Sequence, residues 1–163
     1  MTQKEQLWEQ YEDAVFAILM DAVAEQEGKR GLQLMEELEH DPSAQVPEEV
    51  QRKAEKCFKD GYYCCEALVS TIRDEFKLDV PKEVVAMASG MAVGAGKSGC
   101  VCGAFNGGIL ALGLFFGRTE QDGPTNPKSV KCMELTHELH DWFKRANGKN
   151  AICCRVLTKE FNM

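Results

Sequence analysis

The chain has 163 residues, 44% of them hydrophobic and 28% charged, a length that suits one domain able to bury its own core. The composition excludes a disordered chain, and eight cysteines are too few for a small secreted disulfide knot. Nineteen Lys and Arg against 26 Asp and Glu leave a net charge of −7, which argues against nucleic acid as the main partner.

The charge is uneven. Residues 1–60 carry 7 basic and 15 acidic side chains, whereas residues 61–163 carry 12 and 11. Residues 1–13 lack the basic start and apolar core of a signal peptide, so a cytoplasmic location is expected, where ordinary thiols stay reduced. Cysteines in that compartment point to metal ligation, redox chemistry or burial. Gly99 to Gly117 runs 19 residues without a charge but holds six glycines and no Trp or Tyr, so it reads as a buried central helix rather than a membrane span.

In chain order, Leu7, Tyr11, Ala14, Val15, Ile18, Ala22 and Val23 recur at helical steps, and Leu32, Leu34, Met35 and Leu38 follow. Residues 40–47, with two prolines, read as a linker. Residues 1–46 are therefore expected to be an acidic helical extension, and 47–163 a cysteine-rich helical domain. Helical spacing resumes at Val50, Ala54, Cys57 and Phe58, pauses at Gly61, and continues through Cys64, Leu68, Ile72 and Phe76. Residues 81–93 suggest a short buried helix, 94–103 a glycine-rich loop, and 104–116 an apolar helix. A helix from about Lys128 to Ala146, stopped by Asn147-Gly148, precedes a last one over roughly 150–161. No β alternation is evident. The expected fold is all-α, a compact bundle of six to seven helices.

The cysteines stand at 57, 64, 65, 100, 102, 132, 153 and 154. Cys57 and Cys64 would share one helix face only if Gly61 left the helix unbroken. The adjacent pairs Cys64-Cys65 and Cys153-Cys154 should each offer one inward thiol. Cys102 is the most informative, because a glycine loop at a helix start should lower its pKa through the dipole and free amides. The loop glycines should likewise free amides for cluster sulfides or an anion. For Cys57, Cys65, Cys132 and Cys153, simple burial is the better reading. Zinc and thioredoxin-like sites lack their Cys-x-x-Cys spacing.

Other motifs fall short. Gly94–Gly99 matches G-x-G-x-x-G but follows a helix, and the Walker-like Gly96-Lys97-Ser98 lacks its first glycine, Met91 standing there. Glu134-x-x-His137 has no second copy, and His137-Glu138-Leu139-His140 is one residue short of a zinc-protease helix. Both histidines suit a solvated helix face.

Gly61-Tyr62-Tyr63-Cys64-Cys65 resembles the Gly-Tyr-Asn-Cys segment of the redox-active proteins called the C_GCAxxG_C_C family. Gly99-Cys100-Val101-Cys102-Gly103-Ala104-Phe105-Asn106-Gly107 is similar to that family's CGAxxG core. Leu112-Gly113-Leu114 and Gly117-Arg118 resemble the Leu-Gly-Leu and Gly-Arg steps after that core. Cys153-Cys154-Arg155-Val156-Leu157 resembles its third cysteine site, with Cys154 the better match. The resemblance spans about residues 50–160. It implies a small redox protein related to the iron–sulfur domain of split-Soret cytochromes.

On that resemblance, Cys64, Cys102 and Cys154 are expected to bind an iron–sulfur cluster for electron transfer or redox sensing. Cys100 is the candidate fourth ligand, and Gly99, Gly103, Ala104 and Gly107 form the supporting loop and helix start. The family's last cysteine has no counterpart here, so Cys57 or Cys132 could also substitute, or the site could have only three protein ligands. No catalytic residue is assigned. The alternatives are metal-free thiol–disulfide exchange, with Cys102 attacking and Cys100, Cys64 or Cys154 resolving, and a non-redox helical interaction module. An unknown redox partner protein and a homodimer complete the expectations.

Overall fold

A computed structural model describes residues 48–158. The expected extension over 1–46, and the end of the last expected helix beyond 158, lie outside them. Among the described residues the structure is helical, with no strand. Five α-helices are present: α1 (Glu48–Lys59), α2 (Cys64–Glu75), α3 (Gly103–Phe116), α4 (Pro127–Ala146) and α5 (Cys154–Leu157), with a 3-10 helix at Lys82–Met91 between α2 and α3.

Gly61 stops α1. Its φ of 119° is reached readily only by glycine. The Tyr62 amide then bonds the Cys57 carbonyl at 3.1 Å, and the Gly61 amide bonds that of Phe58 at 3.2 Å, a Schellman closure. Cys57 and Cys64 therefore lie on different helices. At the next start, Glu66 reaches back to the Tyr63 amide at 2.8 Å, filling one of the donors that a helix beginning leaves open.

The segment expected as a buried helix over 81–93 is a 3-10 helix whose Ala86, Met87, Ser89 and Gly90 are exposed. With three residues per turn only every third position faces inward, and Val85 and Ala88 are buried. Asn126 caps α4, its side-chain oxygen accepting from the amides of Lys128 and Ser129 at 2.8 and 3.3 Å. Pro127 fills the first turn, one residue earlier than the spacing suggests. Asn147 and Gly148, with φ 64°, close α4 as the sequence indicates. The final helix is shorter than expected among the described residues.

Helix α3 is the hub. It packs most extensively on α2 and also meets α4 and the 3-10 helix. Leu68 and Ile72 of α2, Phe105, Leu112 and Phe116 of α3, and Leu135, Leu139 and Phe143 of α4 form the main core. The four-residue steps along α4 present one apolar stripe. Cys65, Val69, Val85, Ala88 and Ala92 form a second cluster beneath the 3-10 helix. No helix of the described residues is long and apolar enough to cross a membrane; within the uncharged stretch Gly99–Gly117, residues Gly103–Phe116 form the central helix α3.

Candidate redox site

Three cysteines begin three helices. Cys64 is the first residue of α2, Cys102 precedes the first residue of α3, and Cys154 is the first residue of α5. A side chain added at Gly103 would place its Cβ 2.5 Å from the Cys64 sulfur, and one at Gly107 would lie 3.1 Å from the Cys65 Cα and carbonyl oxygen. Contacts advancing together along both chains mean that α2 and α3 run parallel, with their amino ends side by side. The two glycines of the CGAxxG block thus have separate tasks. Gly103 admits a sulfur, and one turn later Gly107 admits a helix backbone.

Cys154 arrives through an antiparallel bridge between Val101 and Cys153. The Cys102 amide bonds the Ile152 carbonyl at 2.7 Å, and the Cys154 amide bonds the Cys100 carbonyl at 2.5 Å. This register sets Cys100 opposite Cys154. Asn147, itself buried, holds the turn leading in: its amide nitrogen donates to the Phe143 and Ala151 carbonyls, each at 2.7 Å, and its oxygen accepts from the Lys149 amide at 2.9 Å.

The loop before Cys102 is a left-handed turn. Val93, Gly94, Ala95, Gly96 and Lys97 have φ between 52° and 73°, and Gly99 has 70°. Such backbone costs an L-residue roughly 1–2 kcal/mol, and for a β-branched valine it is a true outlier. Position 94 needs glycine twice over: its φ is positive, which glycine adopts freely, and a Cβ there would collide with the Cys100 amide nitrogen. The amides are not free, contrary to the expectation for this loop. Those of Ala95, Gly96, Lys97, Ser98, Gly99, Cys100 and Cys102 all donate to backbone carbonyls, so the loop has no open cradle of the kind a phosphate needs.

Electrostatics divide the three thiols. Cys64 is brought down to about 7, first because the Cys65 thiol donates to it, with burial opposing and the Val93 amide adding support. The Cys65 thiol also lies 2.9 Å from the Ala88 carbonyl. Its single proton goes to Cys64 when that sulfur is ionised, because a charged acceptor outranks a neutral one. Cys65 itself is pushed upward by that bond and by burial. Cys102 does not have the lowered pKa expected from its position. Burial pushes it up to about 12, and the neighbouring Cys64 and Cys154 charges push the same way. The Ala104 and Phe105 amides pull it down but do not prevail. Desolvation of a thiol 8% exposed outweighs a helix terminus. Cys64 is therefore the more readily ionised of the two.

The remaining thiols are dispersed. Cys100, opposite Cys154, is exposed, and Cys153, the bridge partner of Val101, is half-buried. Cys57 accepts from the Thr71 hydroxyl at 3.8 Å. Cys132, on α4, is half-buried, and burial raises its pKa. His137 and His140 lie on α4 against Asp141, 3.6 and 3.0 Å away. Among the described residues no group of three or more His, Cys, Asp or Glu side chains is arranged to hold a metal ion. The donor role of Cys65 and the part of the Val93 amide are not visible in the sequence, since adjacency in a helix says nothing of where a thiol proton points.

The chain matches the family model described as "Putative redox-active protein (C_GCAxxG_C_C)" over residues 62–163. No curated protein and no solved structure matches it. With the match covering more than half of the chain, including the parallel helix starts and the bridge that delivers Cys154, the chain belongs to the C_GCAxxG_C_C family of redox-active proteins.

Proposed function

We propose that the chain is an electron-transfer or redox-sensing protein whose centre is an iron–sulfur cluster held by Cys64, Cys102 and Cys154, with Cys100 as the fourth ligand. The observation that carries this reading is the convergence of three helix starts: the Cys64 sulfur lies against Gly103, next to Cys102, and the Val101–Cys153 bridge brings Cys154 to the same loop. Three thiolates in one apolar place need a cation to coexist, and iron supplies it. The donors are soft sulfurs, as such clusters require. Cluster ligands attach to different iron atoms, so a set not arranged around one ion is compatible with this chemistry. Bound there, the cluster would exchange single electrons with a partner protein. Ala104 and Phe105, buried next to Cys102 at the start of α3, would limit water and so tune its potential.

Anaerobic reconstitution of the full chain with iron and sulfide tests this. Visible charge-transfer absorption and matched iron and sulfide contents are expected, lost in Cys102→Ser and kept in Cys57→Ser and Cys132→Ser. A colourless, iron-free product would overturn it.

The pKa of Cys64 favours a second reading, metal-free thiol–disulfide exchange. The Cys64 thiolate would attack a substrate disulfide and expel one thiolate, and Cys102 or Cys154 would then displace the second, leaving a protein disulfide and a reduced substrate. Reversible loss of two thiols on mild oxidation of the metal-free chain would support it. In this reading Cys64, rather than the Cys102 expected from the sequence, would be the attacking thiol.

A further inference from the structure

The loop that carries Cys100 and Cys102 touches the other two cysteines at its ends. At its beginning the Val93 amide is directed to the Cys64 sulfur. At its end it meets the residue next to Cys154. The Arg155 Nε donates to the Gly99 carbonyl at 3.2 Å and its Nη2 to the Ser98 carbonyl at 2.8 Å. The Arg155 amide also bonds the Gly99 carbonyl, at 3.0 Å. Gly99 has no side chain in the way: a Cβ there would be 3.0 Å from that of Arg155.

We propose that Arg155 is the positioning residue of the thiol centre, its forked contact with two successive carbonyls latching the segment that bears Cys154 onto the glycine loop. The inference rests on the reading of Cys64, Cys102 and Cys154 as one redox centre. Helix α5 has only four residues and cannot fix its own orientation. The bridge beside it is a single residue pair. The planar guanidinium adds two donors in a fixed geometry, which a lysine ammonium does not reproduce. The loop end it grips is stiff, because Ser98, Gly99 and Cys100 are bonded back to Ala95, Val93 and Gly94. The spacing of Cys154 from Cys102 is thus set by the rigid loop, the backbone bonds of the bridge and the arginine latch.

The test is site-resolved alkylation of the reduced, metal-free full chain, read cysteine by cysteine by mass spectrometry. In Arg155→Ala, labelling of buried Cys154 should quicken about tenfold, the size expected when hydrogen bonds from a charged donor are lost. Cys65, on α2 in the second cluster, should label as before. Arg155→Lys should recover only part of the protection. Unchanged Cys154 labelling, an equal rise at Cys65, or full rescue by lysine would overturn the proposal. Should the alanine variant not fold, the lysine variant alone decides, with partial loss of protection expected and none fatal. The labelling requires no metal, so failure of the cluster reading appears in iron analysis and failure of the latch appears here.

Discussion

The Cys64 sulfur occupies the space that a side chain at Gly103 would need, 2.5 Å from its would-be Cβ. Sulfur and helix start therefore compete for one volume, and glycine resolves the competition. Gly103→Ala should displace Cys64 from the Cys65 thiol and the Val93 amide. The cost is expected to be about 1–3 kcal/mol, with the Cys64 pKa returning toward that of an ordinary thiol. Denaturant melts and the rate of Cys64 alkylation at neutral pH measure the two effects.

Two glycines on the same helix should respond with opposite signs. Gly107 faces α2 backbone, and Gly113 has nothing within 4 Å of an added Cβ. Gly107→Ala should destabilise the fold by about 1–3 kcal/mol, since two backbones must separate. Gly113→Ala should stabilise it by about 0.5–1 kcal/mol through helix propensity. Thermal unfolding of the two variants side by side checks the contrast.

The thiols should give the protein a pH signature. Cys64, lowered to about 7, contributes stability that is present above the ordinary thiol pKa and is lost as pH falls through 7. Cys102, raised to about 12, has the opposite sign: its contribution is present below the ordinary thiol pKa and is lost as pH rises toward 12. Alkylation of Cys64 in the metal-free chain should climb between pH 6 and 8 (roughly one unit either side of its pKa), while Cys102 stays unreactive. A Cys65→Ala variant removes the donor and should move the Cys64 inflection upward.

Asn147 is 6% exposed and saturated with backbone partners. Asn147→Ala strips the Phe143 and Ala151 carbonyls of a shared donor, at a cost of about 2 kcal/mol. The turn toward Cys153 and Cys154 should loosen with it. Hydrogen exchange at residues 149–154 should then quicken more than at the core of α2.

Much of this architecture is legible in the sequence. The four-residue apolar steps of Leu135, Leu139 and Phe143, the stop at Asn147-Gly148 and the apolar run after Gly103 all come from periodicity and caps. The 3-10 segment is less so, because Val85 and Ala88 fit an α spacing as well as a three-residue one. The left-handed turn is hidden: Val93, Ala95 and Lys97 are not residues that announce positive φ, and what holds them there is a set of backbone bonds within residues 90–100 that no side chain reveals. The pKa order of Cys64 and Cys102 is hidden for a related reason. A helix start is visible in a sequence, but the depth of burial around it is not, and burial decides the sign at Cys102.

The bridge joining Val101 to Cys153 has a bearing on biogenesis. A ribosome releases the first two sulfur-bearing helix starts long before the third, and chains fold as their segments emerge. Through that interval α2 and α3 can pair and seat Cys64 against Gly103, yet Cys102 has no companion from the later segment. A centre built on all three thiols, as proposed above, would therefore be completed only once α4 and its capping turn have formed.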